Sequence, residues 1–325
     1  MTHAIRVHQH GGPEVMQWEP VDLPAPGPGE ALVRHSCVGV NYIDVYFRTG
    51  AYPPAQLPFT PGMEAAGVVE AVGDGVTDVA VGDRVAYAAP PPGAYAERRV
   101  IAAHRLVGLP EEIADEQAAA MMLKGMTAQY LLRRTYRVQP GDTILFHAAA
   151  GGVGLIACQW AKALGATVIG TVGSAEKAEL ARRHGCDHPV NYNEEDFVER
   201  VREITGGEGV AAVYDSVGAD TFERSLDCLR PLGVLASFGQ SSGPVTSFNP
   251  GLLAQKGSLY LTRPTLFTYT AKRQDLLDTA QELFRMVAER KVAVEIHQRF
   301  PLAEAAEAHR ALEGRRTTGS TVLEP

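Results

Sequence analysis

Short apolar runs and helical repeats of apolar positions alternate through the middle of the chain. The runs that predict strands cover residues 143–146, 167–171, 189–192, 210–215, 233–238 and 258–262. Helical spacing between them predicts helices at 155–164, 175–184, 196–204 and 221–229. This alternation predicts a parallel sheet covered by helices on both faces. Six such strands match the doubly wound α/β fold that binds dinucleotides.

The two ends of the chain have a different pattern. Apolar runs at 31–40, 67–73 and 82–87, separated by Gly and Pro turns, predict a β-rich, barrel-like domain before about residue 120. After residue 262 the pattern predicts a helix at 275–289, a strand near 292–297, a short amphipathic helix at 301–310 and a strand at 317–323. We therefore expect the β-rich part to be built around the nucleotide domain from both chain ends.

A glycine turn joins the first central strand to its helix. Ala148, Gly151 and Gly154 hold the small-residue positions of this turn. Backbone N–H groups and the positive end of the helix dipole there favour a pyrophosphate. A glycine triplet alone also fits an ordinary tight turn, but the surrounding strands and helices favour dinucleotide binding.

The end of the second central strand indicates which dinucleotide binds. NAD sites usually carry Asp or Glu about 20 residues after the glycines. Gly173 and Ser174 stand here instead, Lys177 follows one turn into the next helix, and Tyr192 follows the third strand. Lys177 alone would be typical of a solvated helix lysine. The missing acid favours a 2′-phosphate beside it, and we predict NADPH as the cofactor.

Composition narrows the class of protein further. A length of 325 residues predicts two domains. The net charge of −8 and the absence of a Lys/Arg run argue against a nucleic-acid partner. The four cysteines form no C-x-x-C pair, which is typical of a reducing cytosol, and we expect a cytoplasmic protein. No signal-peptide pattern or bilayer-spanning apolar run is present, so we expect no membrane partner.

Several motifs in combination resemble one family over essentially the whole chain. They are the segments 39–44 (GVNYID), 61–69 (PGMEAAGVV), 81–85 (VGDRV), 148–154 (AAAGGVG), 214–218 (YDSVG) and 257–264 (GSLYLTRP). The chain closely resembles the zinc-independent quinone oxidoreductases of the medium-chain dehydrogenase/reductase superfamily. The resemblance implies a GroES-like catalytic domain (1–124 and 263–325), a Rossmann domain (125–262), NADPH-dependent quinone reduction and a homodimer.

The resemblance also indicates whether the chain binds zinc. Similar zinc alcohol dehydrogenases carry a catalytic Cys where this chain has Asn41, and a His where it has Met63. An amide and a thioether cannot build a thiolate and imidazole site, and no four-cysteine lobe exists for a structural zinc. Glu64 could be read as a ligand, but a buried carboxylate that organises the fold is the favoured interpretation. We predict no metal.

Site residues follow from the resemblance. Asn41, Asp44 and Tyr46 are expected near the nicotinamide, with Tyr46 or water as proton source, although Asn41 could instead bond its own turn. Arg263 is expected to reach the cofactor or substrate, or to form an interface salt bridge. Further expected cofactor contacts are Thr127, Tyr130, Gly151, Gly152, Val153, Ser216, Phe238, Gly239, Ser241 and Arg315.

Three functions remain open on the sequence alone. The first is an NADPH:quinone reductase, for which hydride transfer to an electron-poor ring needs no strong Lewis acid. The second is a reductase of enones or alkenals. The third is an NADPH-binding structural or RNA-binding protein, as some lens-crystallin relatives are, against which the acidic balance weighs. We also expect a dimer through the apolar edge strand 257–262.

Overall fold

The computed structural model describes residues 2–325. Its strands are β1 Thr2–Val7, β2 Met16–Val21, β3 Glu30–Val40, β4 Glu64–Val72, β5 Arg84–Ala88, β6 Arg98–Ala102, β7 Val107–Gly108, β8 Thr143–Phe146, β9 Thr167–Val172, β10 His188–Asn191, β11 Val210–Asp215, β12 Leu229–Ser237, β13 Tyr260–Thr262, β14 Ile296–Pro301 and β15 Ser320–Glu324. Its α-helices are α1 Tyr42–Thr49, α2 Asp115–Tyr130, α3 Gly152–Ala163, α4 Ala175–Arg183, α5 Phe197–Ile204, α6 Phe222–Leu226, α7 Gly251–Gln255, α8 Leu266–Tyr269, α9 Arg273–Ala288 and α10 Ala305–Glu313.

These elements belong to two units. The first unit comprises the chain up to Met126 together with Thr270–Ala288 and Val294–Pro325. The second unit comprises Thr127–Tyr269 and Glu289–Ala293. The domain boundaries expected from the sequence stay a prediction. No helix in the described part of the chain combines the length and the apolar character that a bilayer crossing requires.

The first unit is β-rich. Its main sheet, within residues 2–325, has the order β14-β15-β3-β4-β5-β7, with β6 paired to β3, and β1 pairs antiparallel with β2. The antiparallel β3–β4 ladder sets Gly39 opposite Glu64. Side chains of β3, β4 and β5, including Tyr87, form the core together with Tyr95 and Leu323. Because β15 also pairs with β3, the last strand of the chain completes the sheet begun near its start.

The second unit is the predicted doubly wound α/β fold. All strands of its sheet are parallel, and the described residues give the order β10-β9-β8-β11-β12-β13, which is 3-2-1-4-5-6 along the chain. Phe146 at the end of β8 lies opposite Gly170 and Tyr214 in the neighbouring strands. The carboxyl ends of these strands therefore meet at one edge of the sheet, where ligands of this fold bind.

Several predicted boundaries were wrong for local reasons. Helix α6 ends at Leu226, because Leu229 already pairs in β12. The last strand of this sheet begins at Tyr260 and not near residue 258, because Ser258 has a left-handed φ of 56°. The strand expected near 292–297 lies at Ile296–Pro301, where it pairs with β15.

Some elements were not predicted at all. Strands β1, β2 and β6 were missed, and so was helix α2. The middle of α2, from Ala118 to Met122, is fully buried on all sides, so it has no polar face and no helical repeat of apolar positions to detect. Tertiary packing, and not local periodicity, determines this helix.

Candidate active site

The glycine turn of the second unit is shaped to accept an anion. Gly151 precedes α3, and no side chain caps the helix there. The first N–H groups of a helix have no acceptor within it, so those of Gly152 and Val153 are available to a ligand. A Cβ atom on Gly154 would lie 2.4 Å from the carbonyl oxygen of Ala148, so only glycine fits. Ala148 itself has a φ of 55°, the left-handed conformation of the glycine it replaces.

A buried histidine, His147, stabilises this turn through hydrogen bonds. The Nδ1 atom of His147 is 2.9 Å from the Thr171 hydroxyl, and its Nε2 atom is 2.9 Å from the Ser225 hydroxyl. The Thr171 hydroxyl also accepts a hydrogen bond from the Ala148 N–H, at 3.3 Å. Burial lowers the pKa of His147, which is therefore neutral. These hydrogen bonds fix the turn without adding charge to it.

The structure brings most predicted cofactor residues to the carboxyl edge of the sheet. A Cβ on Gly239 would lie 2.5 Å from the carbonyl oxygen of Ser216, and the Ser241 N–H donates to that oxygen at 3.2 Å, so these two loops touch. The predicted residues that follow strand ends at this edge are Gly151, Gly152 and Val153 after β8, Gly173, Ser174 and Lys177 after β9, Tyr192 after β10, Ser216 after β11, Phe238, Gly239 and Ser241 after β12, and Arg263 after β13.

Polar side chains follow β9 and β10 at the carboxyl edge of the sheet. The Ser174 hydroxyl caps α4 by accepting from the Lys177 N–H at 3.2 Å. The Tyr192 side chain, 44% exposed, places its hydroxyl 2.5 Å from where a Cβ on Gly173 would lie. No acidic side chain stands at 172–174, where a ribose 2′-hydroxyl would need one. A phosphate fits this chemistry better than a bare hydroxyl.

One carboxylate of the second unit was missed by sequence reasoning. Asp215 is fully buried at the end of β11, and its Oδ1 atom accepts from the N–H groups of Val217 and Gly218, at 2.7 and 3.2 Å. The Thr221 hydroxyl donates to the same carboxylate at 2.8–2.9 Å. Asp215 therefore fixes the loop that carries Ser216. The signal was its position as the last residue of a buried strand.

Tyr130 and Thr127 lie away from water. Tyr130 is 2% exposed and stacks on Tyr269 with ring centroids 4.5 Å apart. Burial raises the pKa of the Tyr130 hydroxyl. Thr127 is 6% exposed. Arg263 is exposed, and its Nη1 atom donates to the Ser237 carbonyl at 2.9 Å. The cofactor contacts expected of these three residues stay predictions.

A buried carboxylate organises the polar cluster of the first unit. Glu64 accepts three hydrogen bonds: from the Asn41 amide at 2.7 Å, from the Lys124 ammonium at 3.1 Å and from the Leu123 N–H at 2.7 Å. A Cβ on Gly39 would lie 2.4 Å from the Glu64 Oε2 atom, so a glycine is needed opposite. Because a carboxylate only accepts, the Asn41 amide must turn its NH₂ group toward Glu64.

Asp44 holds the start of α1. Its Oδ2 atom accepts from the Asn41 N–H at 2.9 Å and from the Tyr95 hydroxyl at 3.1 Å. Its Oδ1 atom is buried and has no hydrogen-bond partner among the described residues. Burial raises the pKa of Asp44 to about 7, although the Asn41 N–H bond opposes the shift. Asp44 is a positioned carboxyl group and not a solvated one.

Tyr46 and Arg315 complete the residues predicted for the first unit. Tyr46 is half-buried in an aromatic group, with ring centroids 5.4 Å from Tyr42 and 5.1 Å from Tyr52. Arg315 follows α10, is exposed and has a φ of 56°. The substrate contact of Tyr46 and the cofactor contact of Arg315 stay predictions.

The donor set at Asn41, Met63 and Glu64 does not suit zinc. Met63 is fully buried, and Glu64 is already neutralised by the cation of Lys124. Within residues 2–325 no group of three or more His, Cys, Asp or Glu side chains has a metal-binding arrangement. The role predicted for Glu64, a buried carboxylate that organises the fold, agrees with its three hydrogen bonds.

Comparison with known proteins adds to this geometry. Residues 27–138 match the family model described as alcohol dehydrogenase GroES-like domain, and residues 152–282 match the one described as zinc-binding dehydrogenase. A quinone oxidoreductase of Pseudomonas aeruginosa is 56% identical over 325 residues, 100% of both chains. A 2-haloacrylate reductase of a Burkholderia species is 48% identical, over 100% of this chain and 99% of the relative. The crystal structure of Escherichia coli quinone oxidoreductase complexed with NADPH is 52% identical, with a TM-score of 0.98 over 99% of this chain and 100% of that one.

Proposed function

Because the chain belongs to the zinc-independent quinone oxidoreductases of the medium-chain dehydrogenase/reductase superfamily, we propose that it reduces quinones with NADPH. The observation that carries the proposal is the Glu64 carboxylate, both of whose oxygens already accept hydrogen bonds within the protein. Lys124, Asn41 and the Leu123 N–H occupy both its oxygens, where zinc relatives assemble a Lewis acid. The acceptor must therefore be electron-poor in itself, as a quinone is.

The second unit binds and orients the cofactor, which supplies the hydride when bound. The α3 N-terminus and the turn at Gly151–Gly154 meet the pyrophosphate through backbone N–H groups. Gly173, Ser174 and Lys177 follow β9, and Tyr192 follows the neighbouring β10. The 2′-phosphate of the adenosine ribose lies at this edge of the sheet in this fold. His147, through Thr171, and Asp215 keep the two loops in place.

The first unit supplies the proposed substrate contacts. One N–H of the Asn41 amide is held by Glu64, which leaves the second N–H to donate to a quinone oxygen. Tyr46 offers a half-buried ring and hydroxyl for stacking and for donating a proton. Asp44 acts on Asn41 through the backbone at the start of α1. Arg263 and Arg315 are proposed cofactor or substrate contacts on the resemblance alone.

A second candidate activity is the reduction of activated carbon–carbon double bonds. It is favoured by the full-length relative whose name is 2-haloacrylate reductase. Enones and haloacrylates, like quinones, are electron-poor acceptors of hydride. A steady-state comparison of quinones with enones and haloacrylates, with NADPH as donor, distinguishes the two activities.

We further propose a cytoplasmic homodimer. All four cysteines are free and buried, which suits a reducing compartment. The edge strand β13 exposes Tyr260 to 60%, and pairing with a second copy would cover this edge. The sequence predicted a two-fold contact through segment 257–262. We propose that β13, Tyr260–Thr262, makes this contact, because Ser258 has a left-handed φ of 56° and is not part of the strand.

A further inference from the structure

A chain of hydrogen bonds between buried side chains of the first unit ends on Asp44. The Arg48 Nη1 atom is 3.1 Å from Nδ1 of His309, whose Nε2 atom is 3.0 Å from the Tyr95 hydroxyl. That hydroxyl is 3.1 Å from Oδ2 of Asp44. All four side chains are fully buried. The partly exposed carboxylate of Glu313 anchors the other end through two bonds to Arg48, at 2.8 and 2.7 Å.

The direction of every bond in this chain is determined by chemistry. An arginine has no acceptor, so Nδ1 of His309 must be the bare nitrogen and its Nε2 must carry the proton. That N–H donates to the Tyr95 oxygen, and the single hydroxyl hydrogen of Tyr95 is left to donate to Asp44. Burial lowers the pKa of His309 to about 3, so the ring stays neutral. The chain therefore points donors from Arg48 toward Asp44.

Several charged or polar groups face Asp44 from the elements around it. Tyr95 comes from the segment before β6, Lys124 from α2 and Glu64 from β4. Lys124 favours the ionised form of Asp44, whereas Glu64 and burial oppose it. Among residues 2–325, the Tyr95 hydroxyl is the side-chain group that donates a hydrogen bond to this carboxylate. Its bond therefore bears directly on whether Asp44 is charged at neutral pH.

Resting on the proposed function, we infer that Arg48, His309 and Tyr95 are positioning residues of the reaction. Their chain of hydrogen-bond donors ends on Oδ2 of Asp44 and keeps that oxygen an acceptor. The same oxygen accepts the hydrogen bond from the Asn41 backbone N–H at the start of α1. Asn41 presents its free amide hydrogen to the substrate only while that start is fixed. The chain does not carry protons from solvent, since Arg48 cannot release one.

The first test measures the ionisation of Asp44 in the absence of substrate. A buried carboxyl whose folded pKa is raised stabilises the protein at low pH, and this contribution is lost as the pH rises through the folded pKa. For the wild type and each variant, we measure the thermal midpoint against pH, and we repeat the measurement after adding the Asp44→Asn substitution to the same protein. The difference gives the pH at which Asp44 ionises. Tyr95→Phe should raise that pH by about one unit, the scale of a hydrogen bond to a charged group.

The chain offers a matched control. Tyr87 is also a fully buried tyrosine of the first unit, and its hydroxyl is 2.9 Å from Nε2 of the buried His35. Tyr87→Phe should leave the ionisation of Asp44 unchanged. His309→Leu should move it in the same direction as Tyr95→Phe, whereas His309→Gln, which can accept from Arg48 and donate to Tyr95, should restore it. An unchanged ionisation in Tyr95→Phe, or an equal shift in Tyr87→Phe, would overturn the inference.

The second test links the chain to the reaction. The acid limb of kcat/KM for a quinone should shift upward with the ionisation of Asp44 in Tyr95→Phe, with a loss of about tenfold at pH 6.5 and a near-normal alkaline plateau. An acid limb that stays in place while the ionisation moves would refute the role in positioning. If wild-type protein reduces no quinone, the proposed function fails, and the thermal data alone decide whether the chain controls Asp44.

Discussion

The Lys124 ammonium lies 3.1 Å from the Glu64 carboxylate, and both side chains are almost fully shielded from water. A buried cation paired in this way compensates the charge that a metal would otherwise neutralise. The same Glu64 oxygen accepts from Asn41, so one carboxylate joins β3, β4 and α2 around the start of α1. The pair is therefore central to a site that operates without zinc.

The first prediction concerns metal content. Purified protein should hold far less than one zinc per chain, because Asn41 and Met63 are poor zinc ligands and Lys124 already neutralises Glu64. Elemental analysis checks this, with activity measured before and after a chelator. About one zinc per chain, together with activity that the chelator abolishes, would contradict it.

The second prediction concerns the anion cradle. Gly154→Ala would place a Cβ 2.4 Å from the Ala148 carbonyl oxygen, so the turn must shift. We expect a loss of about 1–3 kcal/mol in stability and at least about a tenfold loss of NADPH affinity. Gly151→Ala is the matched control, since its Cβ would lie 3.2 Å from the same oxygen at a φ of −80°. Equal NADPH dissociation constants for the two variants would argue against this cradle.

The sequence predicted this turn and the order of elements around it, because glycine requirements and strand–helix alternation are local. It did not predict the start of β13, since the left-handed φ of Ser258 depends on packing that no pattern records. It placed Asn41 and Asp44 at the site by resemblance. It gave no sign of Lys124, Tyr95 or His309, whose contacts join segments 51 to 261 residues apart.

The third prediction concerns cofactor choice. Lys177→Ala should weaken NADPH binding by about 1–2 kcal/mol, the scale of a charge-assisted hydrogen bond, and leave NADH binding nearly unchanged. The substitution keeps the backbone N–H that Ser174 accepts, so α4 retains its cap. Lys162→Ala controls for the loss of one surface charge, because that ammonium pairs with Asp187. Fluorescence titration measures both cofactors, and equal weakening of the two would show that Lys177 does not recognise the 2′-phosphate.

The fourth prediction concerns assembly. Tyr260→Lys, at the exposed edge strand β13, should shift a dimer toward monomer, because a charge on an edge strand opposes pairing. Proline at Leu259 would be a poorer probe, since the Leu259 N–H donates to the Leu253 carbonyl within the unit. Val81→Lys, at an equally exposed position of the first unit, is the control. Sedimentation velocity at micromolar concentration decides, and a monomeric wild-type protein would end the proposal.

The central claim is that the chain transfers reducing equivalents from NADPH to quinones without a metal. Its most direct test is the steady-state oxidation of NADPH by chelator-treated protein, with 1,2- and 1,4-quinones compared against enones, haloacrylates and primary alcohols. We predict that kcat/KM is highest for a quinone and that NADPH is preferred over NADH. NADPH oxidation that depends on an enone or haloacrylate but not on any quinone would contradict the claim.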